Sequence, residues 1–211
     1  MVEVFFKNKT NRVLAGIIEL PTTTVGSRPL VVFAHGFDSG KDSPRGVILA
    51  QSLRERGIAT LLFDFTGHGD SQGSKADSTV TQQVDDLWAA IDHAQSNQRV
   101  DAGKIGVTGS SSGGLVALTE ALLDKRVQSL GLRGPRTDNL TDKADQFGLP
   151  ILIVQGERDP LLPQTEVFYR ALTCPKKLEI VAGADHLFSQ PYQLQQAVEF
   201  TSSWFEKTLA A

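Results

Sequence analysis

Hydrophobic residues along the chain fall into short blocks that predict strands and helices in alternation. Two alternating segments at the N-terminus, residues 2–7 and 12–20, surround a polar turn and predict a β-hairpin. Six further apolar blocks of strand length follow, separated by polar or helix-patterned stretches. We place these six strands at residues 30–34, 59–64, 104–108, 127–132, 151–155 and 177–182.

Apolar residues three and four positions apart predict helices between these strands. The first helix is expected to start at Ser43-Pro44, because a proline in the first helical turn gives up no hydrogen bond, and to run to Gly57. Further helices are predicted around residues 80–91, directly after residue 112, over residues 164–172 and around residues 194–205. The alternation predicts an α/β fold with a mostly parallel eight-stranded sheet, helices on both faces, and ligands at the carboxyl ends of the strands.

Composition narrows the class of protein. The 211 residues suit a single domain spanning residues 1–211, and the net charge of −3 gives no electrostatic case for nucleic-acid or anionic-membrane partners. The longest apolar stretches have strand length, so we expect no membrane span, and the N-terminus does not read as a signal peptide. One cysteine, Cys174, excludes an intramolecular disulfide and permits a reducing compartment, so a cytoplasmic location is expected.

The most informative segment is the Gly/Ser-rich run that follows the strand at 104–108. A strand that leads into Gly-x-Ser-x-Gly and then a helix is typical of a nucleophile elbow, whose tight turn admits only very small residues two positions from the serine. Ser111 has glycine at both of these positions, Gly109 and Gly113, whereas Ser110 and Ser112 do not. Ser111 is therefore the candidate nucleophile; the alternative is a loop without chemical function.

A serine needs a base to take its proton and a third group to orient that base. Of the four histidines, His186 directly follows the last predicted strand, and Asp159 follows the strand before it. Ser111, Asp159 and His186 thus occur in the order Ser…Asp…His, each at the carboxyl end of a strand. Asp185 and Glu157 compete with Asp159 for the orienting role, but a carboxylate adjacent in sequence to the histidine is poorly placed to reach Nδ1.

The developing oxyanion of an acyl-transfer reaction needs hydrogen-bond donors. The backbone N–H of Ser112, at the start of the helix after the nucleophile, is the first candidate donor, and that of Phe37, in the loop after the strand at 30–34, is the second. Gly36 lets the backbone of this loop come close. His35 is predicted to be a structural hydrogen-bonding residue rather than a second base.

A second glycine-rich loop, residues 64–71, has no Gly-Lys-Ser/Thr ending and no GxGxxG spacing, which disfavours a nucleotide site. Asp64, His68 and Asp70 are the residues from which a metal site would have to be built there. The favoured interpretation is that these side chains tie loops together. We therefore predict no cofactor and no metal.

The motifs His35-Gly36-Phe37, residues 64–71, the elbow at 109–114, residues 156–160 and residues 183–188 together resemble the α/β-hydrolase superfamily over essentially the whole chain. They are similar to small serine esterases of the cinnamoyl/feruloyl esterase and dienelactone-hydrolase-like groups. The resemblance implies an α/β-hydrolase fold with Ser111, Asp159 and His186 as the catalytic triad. Dienelactone hydrolases carry cysteine where this chain has Ser111, so lactone hydrolysis is not implied.

Only residues 133–149 are available where cinnamoyl esterases carry a sizeable insertion, so a minimal lid or none is expected. We expect a serine hydrolase of the carboxylesterase type that acts on a small-molecule ester. Thioesterase and peptidase activities use the same residues and remain alternatives, as does a non-catalytic ligand-binding relative. Without a lid little apolar wall is expected, which favours short or medium acyl groups. The candidate substrate-binding residues are Phe37, Arg136, Leu161, Leu162 and Leu187.

Overall fold

The computed structural model describes residues 1–22 and 26–209, and within them the chain forms an open sheet of eight strands. The spatial order is β1-β2-β4-β3-β5-β6-β7-β8; β2 is antiparallel to both of its neighbours, and all the other pairs are parallel. The strands are β1 Val2–Lys7, β2 Val13–Glu19, β3 Arg28–Ala34, β4 Ala59–Phe63, β5 Val100–Ser110, β6 Val127–Arg133, β7 Ile151–Gly156 and β8 Lys176–Val181.

Within the described part of the chain, five α-helices cover the two faces of this sheet. They are α1 Pro44–Glu55, α2 Val80–Gln95, α3 Ser112–Leu123, α4 Leu162–Ala171 and α5 Pro191–Leu209. Helices α1 and α5 pack against each other on one face, while α2 and α3 pack together on the other. Phe168 of α4 belongs to the core on the α2/α3 face. The predicted α/β fold with helices on both sides of a mostly parallel sheet is therefore confirmed.

Strand β3 shows why the sheet is buried on both faces. Leu30 and Val32 pack into the core under α2 and α3, whereas Val31 and Phe33 pack under α1. Successive side chains of a strand point to opposite faces, so a strand covered on both sides must be apolar without interruption. This is the reason why the central strands appear in the sequence as continuous apolar blocks.

Strand β5 begins at Val100, four residues before the predicted start, because Val100 pairs with Arg28 across an irregularity in the register. The intervening polar residues conceal this extension from the hydrophobic pattern. Helix α5 likewise runs from Pro191 to Leu209 and is longer than the apolar stripe indicates.

The connection between β6 and β7 does not form a roof over the carboxyl edge of the sheet. It contains a short 3₁₀-helix, Thr141–Gln146, and buries Leu140, Ala144 and Phe147 in the core on the α2/α3 face. The expectation of a minimal lid is therefore confirmed. None of the helices in residues 1–22 and 26–209 is long and apolar enough to cross a membrane.

Candidate active site

Ser111 lies at the turn between β5 and α3 and has φ 54° and ψ −120°. A non-glycine residue in such a conformation costs on the order of 1–3 kcal/mol and must be held by its surroundings. A methyl carbon added at Gly109 would lie 2.5 Å from the carbonyl oxygen of Gly113, and one added at Gly113 would lie 2.1 Å from that of Ala34. Both positions therefore require glycine, as the sequence argument for Ser111 assumed.

His186, in the loop after β8, lies between Ser111 and Asp159. Its Nε2 is 3.1 Å from Oγ of Ser111, and its Nδ1 is 2.7 Å from Oδ2 of Asp159. The Asp159 side chain is completely buried, and its Oδ1 accepts the backbone N–H of Leu161 at 2.9 Å. With the imidazole proton on Nδ1, facing the carboxylate, Nε2 is free to accept the proton of the serine hydroxyl.

The two competing carboxylates have other partners. The exposed Asp185 accepts the backbone N–H groups of Leu187 and Ser189, both at 3.0 Å, and the Ser189 hydroxyl at 2.6 Å. Glu157 accepts the backbone N–H of Gly183 at 2.7 Å. Both carboxylates thus organise the loop that carries His186, and Asp159 is the one that contacts the imidazole.

The two predicted oxyanion donors lie next to the elbow. Ser112 is the first residue of α3, where backbone N–H groups have no partner within the helix. Gly36 lies against Ser110, since a methyl carbon added there would be 3.4 Å from the Ser110 carbonyl oxygen. The next residue, Phe37, shares a cavity with Ser111. That these two N–H groups stabilise an oxyanion stays a prediction.

His35 holds the loop that carries Phe37. Its Nδ1 donates to the carbonyl of Gly36 at 2.8 Å, and its Nε2 accepts the backbone N–H of Phe65 at 3.1 Å. Burial lowers the pKa of His35 to about 4, so the ring is neutral. Nε2 of His68 lies 2.8 Å from the carbonyl oxygen of Phe37 and further fixes this loop. Both histidines therefore have loop contacts of the kind the sequence favoured.

Asp64 fills the centre of the glycine-rich loop. Its carboxylate accepts the Lys41 backbone N–H at 2.8 Å, the Lys41 ammonium at 2.7 Å and the Asp70 backbone N–H at 3.1 Å. Burial by itself would raise the pKa of Asp64, but the hydrogen bonds from Lys41 and Asp70 outweigh it and lower the pKa. A carboxylate at this place is incompatible with a phosphate cradle.

Within the described residues, no group of three histidine, cysteine or acidic side chains is arranged to hold a metal ion. Lys41, which connects this loop to the loop after β3, is a residue that the sequence reasoning missed. In the sequence, the only indication of this role is that a lysine follows the predicted oxyanion loop by a few residues. An ordinary surface lysine would look the same.

A cavity of about 410 Å³ opens beside Ser111 and His186, between the sheet and helices α1 and α5. This volume lies within the range of small-molecule sites. Its wall includes the apolar side chains of Phe33, Leu49, Leu62 and Val198 and the cationic side chains of Arg45 and Arg133. The expectation of little apolar wall was wrong, because α1 and α5 supply the wall that a lid would supply elsewhere. In the sequence these residues resemble any other apolar stripe.

The predicted substrate-binding residues separate into two groups. Phe37 and Leu187 line the cavity. Leu161 and Leu162, at the start of α4 beside Asp159, and Arg136, whose side chain pairs with Asp138, lie outside its lining. The cavity therefore gives no support to a substrate contact by these three.

Comparison with known proteins agrees with the fold. Residues 27–203 match the family model described as an alpha/beta hydrolase domain. The fold is similar to that of Est1E from Butyrivibrio proteoclasticus, solved with ferulic acid (TM-score 0.89, 21% identity, 99% of this chain and 100% of that one). It is also similar to a dienelactone hydrolase from Anabaena variabilis (TM-score 0.85, 28% identity, 99% and 98%).

Among curated proteins, the chain is 29% identical over 195 residues to Mycobacterium tuberculosis Rv0571c, a protein provisionally named a phosphoribosyl transferase; the match covers 91% of this chain and 43% of that protein. It is 33% identical over 137 residues to the quorum-quenching protein AidA of Acinetobacter baumannii, covering 64% and 44%. The chain thus spans less than half the length of these two relatives.

Proposed function

We propose that this chain, which belongs to the α/β-hydrolase family, cleaves carboxylic esters through an acyl-enzyme on Ser111. The observation that carries the proposal is the unbroken hydrogen-bonded series from Ser111 through His186 to the buried Asp159. An isolated serine hydroxyl is a poor nucleophile, and this arrangement is the one that activates it.

In the acylation step, Oγ of Ser111 attacks the ester carbonyl carbon while Nε2 of His186 takes the hydroxyl proton. The former carbonyl oxygen becomes negatively charged and accepts hydrogen bonds from the backbone N–H groups of Ser112 and Phe37. When the intermediate collapses, the bond to the alkoxy oxygen breaks, and His186 returns its proton to the leaving alcohol. Asp159 stabilises the imidazolium throughout and keeps its own charge.

In the deacylation step, a water molecule repeats the attack on the acyl-enzyme. His186 takes one proton from that water and gives it back to Oγ of Ser111, so the carboxylic acid leaves and the enzyme is regenerated. The names of two structures of similar fold, one solved with ferulic acid and one a dienelactone hydrolase, support an ester as the substrate.

We propose a preference for acyl groups from acetate to about hexanoate. A chain that extends beyond the cavity wall into solvent gains no further stabilisation, because each methylene left in water forgoes about 0.8 kcal/mol of burial. The β6–β7 connection packs into the core and so provides no lid for a lipid surface to open. We expect kcat/KM to pass through a maximum with chain length and to show no jump above the solubility limit of the substrate.

Covalent labelling with a fluorophosphonate tests the proposal directly. Ser110 lines the same cavity and provides a matched control for Ser111. Ser111→Ala should abolish labelling and lower kcat by on the order of 10⁴–10⁶, whereas Ser110→Ala should keep most of both. A label that maps to Ser110 or Ser112, or an unlabelled wild-type protein with no esterase activity, would contradict the proposal.

A further inference from the structure

Arg133 places a cation inside the apolar cavity. It is the last residue of β6, and alternate residues of this strand face α5: the Ser129 hydroxyl lies 2.8 Å from that of Thr208, and Gly131 lies against Phe205. The same alternation points Arg133 toward α5, where it lines the cavity. Its guanidinium carbon lies 6.0 Å from the centre of the Phe188 ring.

Within the described residues, neither Arg133 nor Arg45 takes part in an ion pair, although many other cations of the chain do. Asp38 is the acidic residue in the cavity lining, and its largely exposed carboxylate pairs with Lys75 at 3.0 Å. The other cation of the lining, Lys41, is neutralised by Asp64 and Asp70. Among residues 1–22 and 26–209, these two positive charges therefore face the cavity without an ion-pair partner.

The pKa of Arg133 is consistent with a cation that is not stabilised by an acidic side chain. Burial, and secondly the positive charge of Arg45, lower the pKa of Arg133 to about 10, so the group is still protonated at neutral pH. Arg133 is half-buried. An unpaired charge held partly away from water is costly for a folded protein, and a like charge nearby adds to that cost. Such an arrangement is expected where a ligand supplies the missing charge.

A carboxylate is the anion that fits. A guanidinium binds a carboxylate through two parallel hydrogen bonds, and the surrounding apolar wall suits a short methylene chain better than a heavily hydrated group. The backbone of Arg133 lies directly beside the nucleophile, since its carbonyl accepts the Ser111 N–H at 3.1 Å. A carboxylate bound here would thus lie only a few methylenes from the scissile carbonyl.

We propose that the cavity selects esters whose acyl group ends in a carboxylate, that is, half-esters of short dicarboxylic acids, with Arg133 as the direct partner and Arg45 as the second charge. This inference rests on the proposed function and names its substrate class. Arg133 then determines specificity rather than chemistry, because the bond-making atoms belong to Ser111 and His186.

A pair of esters of equal shape provides the test. In ethyl 5-methylhexanoate an isopropyl group stands where monoethyl glutarate has its carboxylate. We expect wild-type kcat/KM to favour monoethyl glutarate by on the order of 10–100-fold, the range of a charge-assisted hydrogen bond. Arg133→Met should remove this preference, mainly by raising KM for the acidic ester.

Three controls sharpen the result. Arg170→Met, at an exposed position of α4 that does not line the cavity, should keep the preference. Arg133→Lys should restore part of it. Free glutarate should slow fluorophosphonate labelling of the wild type and of Arg170→Met but not of Arg133→Met, a binding readout that requires no turnover.

Equal rates on the two esters in a wild-type enzyme that labels at Ser111 would overturn this inference and leave the proposed function intact. No labelling and no turnover of either ester would instead overturn the proposed function. Should Arg133→Met fail to fold, the wild-type ester pair and Arg45→Met decide the question, because loss of the second charge should reduce the preference severalfold.

Discussion

The two faces of the sheet differ in how completely their helices cover them. On the α2/α3 face, the buried apolar residues form one continuous core that includes Leu87, Ile91 and Leu118. On the α1/α5 face the buried residues form two smaller clusters, and a cavity of about 410 Å³ lies at the carboxyl end of the strands. The α2/α3 face thus provides most of the packing, and the α1/α5 face leaves room for a ligand.

Small residues on the strands explain where the α1/α5 face is closed. Methyl carbons added at Gly106 and Gly131 would lie 2.6 and 2.7 Å from ring atoms of Phe205, so these glycines let this part of α5 rest directly on the sheet. Toward its N-terminal half, α5 presents Ala197, Val198 and Thr201 to the cavity. The same helix therefore seals the sheet at one end and lines the candidate active site at the other.

The largest expected effect concerns the candidate active site on the α1/α5 face. Asp159→Asn removes the carboxylate that orients His186 and should lower kcat by on the order of 10⁴, because the amide favours the wrong tautomer. Asp185→Asn, one residue from the same histidine, should have a much smaller effect, because Asp185 bonds to its own loop. Steady-state kinetics on both variants, with circular dichroism to show that they fold, decides the assignment. Greater damage from Asp185→Asn would reverse it.

The comparison of the two faces also predicts a difference in packing energy. Leu87→Ala, in the continuous core on the α2/α3 face, should lower the free energy of unfolding by about 3 kcal/mol. Leu49→Ala should cost only about 1–2 kcal/mol, because Leu49 already borders a cavity and loses fewer contacts. Urea unfolding measures both changes.

In substrate preference, the larger change should come from Leu49→Ala, the variant with the smaller loss of stability. Leu49→Ala is expected to shift the preference toward longer acyl chains, since it enlarges the cavity, whereas Leu87→Ala should leave the chain-length profile of the folded enzyme unchanged. Equal losses of stability, or an altered profile in Leu87→Ala, would mean that the two faces do not divide these roles.

The smallest expected effect concerns Glu120, a buried carboxyl group on α3. Burial, followed by the charge and hydrogen bond of Asp124, raises the pKa of Glu120 to about 8, against a smaller opposing influence of Lys9 and Arg126. Between about pH 4.5 and 8 the native state keeps a proton that the unfolded chain releases, so stability should fall as pH rises across this interval. The slope contributed by Glu120 is at most about 1.4 kcal/mol per pH unit.

Glu120→Gln should therefore flatten the pH dependence of urea unfolding and stabilise the protein most at the alkaline end of that range. Glu166→Gln, on α4, serves as the control for removing a carboxylate that is only partly buried. Parallel profiles for wild type and Glu120→Gln would show that Glu120 titrates alike in the folded and unfolded chains.

Much of the site was predictable from local rules. The elbow is a local steric requirement, so Gly109 and Gly113 identify Ser111 without any long-range information. His186 and Asp159 were accessible because parallel strands bring their carboxyl ends to one edge of the sheet. The structure places all three side chains in one hydrogen-bonded series; their catalytic roles stay predictions.

The choice among arginines shows where local rules end. Arg133 and Arg136 lie three residues apart, and of the two only Arg136 was a candidate substrate-binding residue from the sequence. In the structure Arg136 pairs with Asp138, two residues away, whereas Arg133 faces the cavity because it still belongs to β6 and follows its alternation. A shift of one residue along a strand reverses the face, so the last residue of β6 had to be known.

The sequence by itself determined the order of strands and helices, the strained serine and the residues that follow strands β7 and β8, because periodicity and steric demand act over a few neighbouring residues. Only the tertiary structure decided that α1 and α5 line a cavity at the carboxyl end of the sheet, with two cations in its wall that have no ion-pair partner among the described residues. The core and the cavity wall are built from the same types of apolar residue. They differ in whether a side chain from a distant part of the chain packs against them.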